Sequence, residues 1–329
     1  MTDKRIKNPL WNSELDIEKR LDFLIENLTL DEKISCMSNA NPDIERLGIK
    51  AFNIGGEGAH GVQARHDQSW DLSGPDYTTI FPNPIGMSRS WDRELIKKAG
   101  KVTGTETRGL FAEGRSSCLS VWAPTVDMER DPRWGRMMES FGEDPYVNGI
   151  MGKAMVDGYQ QKADTGIAAC LKHFAGYGAV NAGREYNDVE ISQRTFLEQY
   201  VKPFRMALKA KPAMVMTAFN AIDRKPISGN KELLKGLLRD KEGFEGTVIS
   251  DWGSIGQLEE QGVAADMEEA AIQASEAGVD IDMMSPAYML CLEKLVESGK
   301  IPEAFVDESA FRVLMMKNQL GLFENPFAG

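Results

Sequence analysis

Histidine is scarce in this chain: three in 329 residues, His60, His66 and His173, none of them in a ligand-spaced cluster. Zinc is held most often by His and Cys at short fixed spacings, so no metal site is expected. The four cysteines, Cys36, Cys118, Cys170 and Cys291, are far apart and form no Cys-x-x-Cys pair. Cys118 and Cys170 sit in apolar, strand-like runs, where a reduced core thiol is the ordinary reading. There is no basic run, and the formal net charge is −12. Nonspecific attraction to nucleic acid or to an anionic membrane is therefore disfavoured. No window approaches a membrane span, and the opening MTDKRIKNPLWNSELDIEKR has no apolar stretch of the kind that directs secretion. The expectation is a cytoplasmic protein with no nucleic-acid and no membrane partner. Short repeats, low-complexity tracts and Pro/Ser linkers are also missing, which favours one domain over residues 1–329.

What is present is an alternation of two periodicities. Apolar, strand-like runs occur at 49–54, 84–88, 118–124, 167–174, 213–219, 246–250 and 279–284. Helical patterns lie between most of them. The first follows Asn12 or Ser13, with Ile17, Leu21, Leu24 and Leu28 on one face; Thr29-Leu30-Asp31-Glu32 then reads as a capping box opening a helix through Met37. Further helices are expected at 93–111, 145–161, 193–209 with a kink at Pro203, 231–239, 266–277, 288–298 and 307–320, the last closed by Gly321. Alternating β and α units predict a parallel sheet, and their number predicts a (β/α)8 TIM-type barrel. Seven strands are visible, so one is irregular or missing. The polar segment 63–79 is too long for a plain connector and reads as a functional loop.

Several strands release ionisable residues at their C-terminal ends. Thr247-Val248-Ile249-Ser250-Asp251-Trp252-Gly253 delivers an acid, an aromatic and a turn; 167–174 ends in Lys172-His173-Phe174; 118–124 leads into the acid- and arginine-rich loop 127–144. One strand followed by Asp is commonly just a helix N-cap. Repetition of the pattern describes the catalytic face of a barrel.

DPRWGRMMESFGEDP (131–145), CLKHFAGYG (170–178), VMTAFN (215–220) and VISDWG (248–253) resemble the barrel-domain motifs of glycoside hydrolase family 3, in that family's order. LTLDEK (28–33) and GLFENP (321–326) are similar to its domain ends, so the resemblance covers nearly the whole chain. It implies a retaining β-glucosidase or β-xylosidase acting by double displacement on a β-linked oligosaccharide or aryl glycoside, without a cofactor. In such enzymes two carboxyl groups about 5–5.5 Å apart serve as nucleophile and acid/base. The resemblance makes Asp251 the nucleophile and Trp252 an aromatic wall beside the reacting sugar. It makes Lys172, His173, Arg136 and Met216 sugar contacts, and Glu57 an acid for distal sugar hydroxyls. Met216 also fits a plain core position, and His60 a residue that fixes its loop. Arg133 and Asp131 read as an internal ion pair. Adjacent strand residues face opposite ways, so Lys172 and His173 can share a ligand only where the strand ends or bulges.

Two departures matter. Phe219 stands where the family often has a Tyr that hydrogen-bonds the nucleophile. The acid/base glutamate of two-domain members lies in a second α/β sandwich domain that these 329 residues do not contain. Single-domain members use a His-Asp pair on a loop after the Lys-His motif; Tyr177 stands in place of that His, and no His follows His173. Glu185 and Asp188 are the acids left in that loop. The expectation is a glycosidase barrel incomplete alone, its face capped by a second domain or another chain. The alternatives are a sugar-binding or isolated scaffold barrel without turnover, and a Schiff-base enzyme using Lys172.

Overall fold

The computed structural model describes residues 9–12, 14–63, 77–116, 118–161 and 165–323. His66 and most of the long 63–79 loop lie outside these residues. Parallel pairing runs from Ser120–Val121 through Ala168–Phe174 and Met214–Thr217 to Thr247–Ile249. Single parallel bridges carry the ring further, joining Ile249 to Ile281, Asp282 to Ser38 and Asn53 to Cys118. The last link is antiparallel, Ala40–Asn41 against Phe52–Asn53. Among the described residues the ring therefore has seven segments. Only residues 42–51 separate the antiparallel pair, and a parallel crossover needs a dozen or more residues. That short connection is why these two segments pair antiparallel.

Helices wrap the ring as the apolar spacing implies. Thr29 and Glu32 form the reciprocal capping box at Leu30–Cys36, Asp266 caps Met267–Ala277, and Gly321 follows Glu303–Gln319 in a left-handed conformation at φ 76°. Three expectations change. The run 84–88 is not a strand but a helical turn, Pro84–Ser88, with Pro at its start and Pro84, Met87 and Ser88 buried. Burial at i, i+3 and i+4 is a helical face, which the alternation of Ile85 and Met87 concealed. The run 279–284 makes only single bridges, because the Asp280 carboxylate takes the Val248 N–H at 2.7 Å that a regular ladder would use. The helix around Pro203 winds as a π-helix over Phe196–Val201 before resuming at Lys202–Ala207; proline has no N–H to donate and its ring needs the room.

Strand parity sorts much of the core, although Ala169 and Val121 join the inward cluster despite their opposite parity. Ala168, Cys170, Met214, Met216 and Ile249 belong to one hydrophobic cluster; Leu171, Val215 and Val248, one residue out of phase, belong to the other. The first set fills the barrel and the second packs on the helices. Lys172 and Asp251 continue the inward parity, two residues beyond Cys170 and Ile249. Among the described residues no helix is long and apolar enough to cross a membrane.

Candidate active site

Asp251 is brought to the mouth by parity and held there by hydroxyls. Its N–H donates to Thr217 Oγ1 at 3.3 Å, and Thr217 Oγ1, Ser228 Oγ and Ser254 Oγ form a buried chain with successive separations of 2.8 Å. Its Oδ1 accepts from Trp252 N at 2.7 Å. Its Oδ2 is buried without a hydrogen-bond partner among the described residues, 3.6 Å from His173 Nε2. Burial pushes the Asp251 carboxyl up to about 6, against the pull of Lys172, Arg136 and the Trp252 N–H.

His173 reaches the mouth through a register shift between Leu171 and Phe174. Two successive residues of one strand thus serve the same side, as the Lys172-His173 motif required. Its Nδ1 lies 2.7 Å from Asp127 Oδ2 and its Nε2 3.0 Å from Arg136 Nη2. A guanidinium only donates, so Nε2 accepts and the ring proton sits on Nδ1, donated to Asp127. Burial, with Arg136 and Lys172 nearby, holds His173 well below its ordinary value and therefore neutral. With its Nε2 lone pair committed to Arg136, His173 cannot donate to Asp251, which accounts for the unpartnered Oδ2. Burial likewise pushes Asp127 up to about 8, Arg136 opposing it.

Arg136 is fixed by a two-point fork on Glu139, Nε to Oε1 and Nη2 to Oε2, each 2.8 Å. Burial would raise the Glu139 carboxyl, but the hydrogen bonds from Arg136, together with the charges of Arg136 and Lys172, outweigh it and hold it below the ordinary range. Lys172 Nζ stands 3.9 Å from Glu57 Oε2. Trp252 is 37% exposed and meets Trp122 edge to face at 6.5 Å. Met216, 1% exposed, lies within the barrel core one layer below. Phe219 is buried and offers Asp251 no hydroxyl. Tyr177 is wholly buried, donates its hydroxyl to Glu185, and lies edge-on to His173 at 5.5 Å and to Trp134 at 5.3 Å. Asp188 is half-buried and accepts from Arg224 N at 3.3 Å. Arg133 and Asp131 pair at 2.6 Å in the preceding loop. His60 is exposed, and its carbonyl accepts from Phe81 N at 2.8 Å.

The structure therefore gathers Asp251, His173, Arg136, Lys172 and Glu57 at one mouth, with Trp252 beside them and Met216 below. Sequence reasoning did not single out Asp127, Glu139 or Trp122. Asp127 had a readable signal, since Thr125-Val126-Asp127 repeats the pattern of an apolar run ending in an acid. Among the described residues no group of three His, Cys, Asp or Glu side chains could hold a metal ion.

This arrangement can present one carboxylate oxygen, ionisable near neutral pH, to an electrophile whose polar groups meet Lys172, Arg136 and Glu57. Comparison with known proteins agrees with the motifs. A periplasmic β-glucosidase of Salmonella typhimurium is 34% identical over 98% of this chain and 45% of its own length. A xylan 1,4-β-xylosidase of Xylanibacter ruminicola is also 34% identical, over 97% of this chain and 38% of its own. The crystal structure of a β-glucosidase from Listeria innocua in complex with isofagomine superposes with a TM-score of 0.83 at 35% identity, covering 96% of this chain and 48% of that one. The chain thus spans about half the length of the relatives it matches. Residues 72–316 match the model of the glycosyl hydrolase family 3 N terminal domain, and the chain belongs to that family.

Proposed function

We propose that this chain carries the nucleophile and sugar-binding half of a retaining β-glycosidase acting on β-glucosides or β-xylosides. The observation that carries the reading is Asp251 Oδ2: a buried carboxylate oxygen without a hydrogen-bond partner among the described residues, at a barrel mouth lined by Lys172, Arg136 and Glu57. An unpaired buried oxygen of this kind costs stability unless something uses it. Attack by Oδ2 on the anomeric carbon forms the glycosyl ester as the bond to the leaving oxygen breaks; water then cleaves the ester. Glu57 and Lys172 engage the distal hydroxyls. Arg136 and neutral His173 fix the ring, and Trp252 walls it. The names of the relatives support the substrate class.

The leaving oxygen of an alkyl glycoside must be protonated as it departs. Glu185 holds the Tyr177 hydroxyl on Oε2, with Oε1 buried and without a hydrogen-bond partner among the described residues, and half-buried Asp188 accepts from Arg224 N; neither is given the role of the acid in this reading. A partner that caps the mouth, as a second domain or another chain, supplies it. General acids contribute about 10²–10⁴-fold, so the chain alone should cleave disaccharides far less well than nitrophenyl glycosides. The test is incubation with 2,4-dinitrophenyl 2-deoxy-2-fluoro-β-glucoside, followed by peptide mass spectrometry. A fluoroglucosyl adduct on Asp251 is the expected result. An intact, sugar-binding chain that never labels would instead be a barrel without turnover.

A further inference from the structure

The order of segments around the barrel sets a direction across the mouth. Glu57 follows Phe52–Asn53, the second segment of the ring, and Asp251 follows Thr247–Ile249, the sixth. They stand on opposite sides. On the double-displacement reading, on which this inference rests, a sugar gripped at its far end by Glu57 and attacked by Asp251 puts its leaving group on the Asp251 side. The segment next to Thr247–Ile249 on that side is Met214–Thr217, and Phe219 stands two residues beyond its end.

Phe219 carries the ring of Tyr186 against it, centroids 4.7 Å apart and planes at 69°. Phe219 is in turn 6.0 Å from Tyr177, and Tyr177 is 5.5 Å from His173. The aromatic row therefore leads from the site to the rim. Tyr186 ends that row 54% exposed, with its backbone at φ 64°, a left-handed conformation that favours glycine. The loop is braced on both sides of it. Glu185 takes the Tyr177 hydroxyl, Asn187 Nδ2 donates to Asn181 O at 3.2 Å, and Asp188 pairs with Ala221 in a small rim sheet. Holding a large ring exposed in an unfavourable backbone conformation is the kind of local cost found at ligand sites. Edge-to-face packing on Phe219 occupies one part of the Tyr186 ring and leaves the rest open to a second ring.

We propose that Tyr186, backed by Phe219, is a leaving-group subsite for a planar aromatic aglycone. The chemistry is matched. When Asp251 Oδ2 bonds to the anomeric carbon, the aryl oxygen departs with the bonding electron pair as an aryloxide and takes its proton from water. An aryl leaving group therefore needs the capping acid least, and gains most from a ring that holds it.

The test compares binding of 4-nitrophenyl 1-thio-β-glucoside and methyl 1-thio-β-glucoside to the full chain by calorimetry, with Asp251 labelling measured separately. The unaltered chain should prefer the aryl ligand by roughly two- to twelvefold, the range of an aromatic pair. Tyr186→Ala should bring that ratio close to one, and Tyr186→Phe should keep it. Circular dichroism and an unaltered unfolding midpoint for Tyr186→Phe would confirm that the loop still folds. An aryl preference that survives Tyr186→Ala, or none in the unaltered chain, overturns the proposal. Lack of Asp251 labelling with the Tyr186-dependent preference intact would sink double displacement and leave the subsite standing.

Discussion

Two buried ionic networks sit at opposite ends of the barrel strands, and they are built on different terms. At the base, Asp280 is fully enclosed and fully used. Its Oδ2 accepts from Arg239 Nη2 at 2.6 Å and Val248 N at 2.7 Å, and its Oδ1 from Arg312 Nη1 at 2.8 Å and Ser309 Oγ at 3.0 Å. At the mouth, Asp251 Oδ2 and Asp127 Oδ1 are buried without hydrogen-bond partners among the described residues, while Lys172, Arg136 and His173 crowd the same space. A carboxylate with every lone pair filled ties helices to strands. One with an oxygen left over is destabilising until a ligand arrives. The contrast is that of a stabilising N-terminal face and a working C-terminal face.

The sharpest way to break the comparison is to remove each acid in turn. Asp280→Ala takes a fully buried carboxylate away from two partly buried guanidinium groups and should cost about 3–5 kcal/mol in urea unfolding, or prevent folding. Asp251→Asn should do the opposite while abolishing the covalent adduct. The folded carboxyl titrates at about 6, above its unfolded value. Its contribution is thus fully present below about pH 4 and lost as pH rises through 6. Asparagine should therefore stabilise the chain by roughly 1–3 kcal/mol at pH 7, with the gain vanishing under about pH 4. Equal loss of stability from both substitutions would erase the distinction between the two ends.

A smaller effect sharpens the electrostatics of the mouth. Labelling of Asp251 requires its ionised form, so the rate should fall as pH drops below about 6. Arg136→Met removes one of the cations holding that value down and releases Glu139, and should move the acid limb up by about one unit. A limb that stays in place would mean Arg136 does not act on Asp251. Smallest of all should be Arg133→Ala, since the Arg133–Asp131 pair is exposed. Neither the unfolding midpoint nor the labelling rate should change measurably.

Much of this was legible in the order of residues. The capping box at Thr29 and Glu32, the long helices and the inward parity of Cys170, Lys172, Ile249 and Asp251 follow from local rules that act within a few residues. The family motifs brought the acid, its cations and the tryptophan within a short list. Other features were hidden because their cause lies elsewhere in the chain. Pro84–Ser88 alternates like a strand, and only the surface it packs on chooses a helical face. Residues 279–284 look like a strand, but the Asp280 side chain gives the Val248 N–H a competing partner.

The sequence by itself determined which residues could do chemistry here, because charge, ring and parity are properties of short segments. Only the tertiary structure decided what each one does. The tautomer of His173 depends on Arg136, thirty-seven positions away, and on Asp127, forty-six away. The position of Asp251 depends on a hydroxyl chain drawn from a strand end, Thr217, and two turns, at Ser228 and Ser254. The antiparallel pairing of Ala40–Asn41 with Phe52–Asn53 depends on a connection too short to cross over. Burial and long-range pairing set protonation and orientation, and neither exists until the barrel closes.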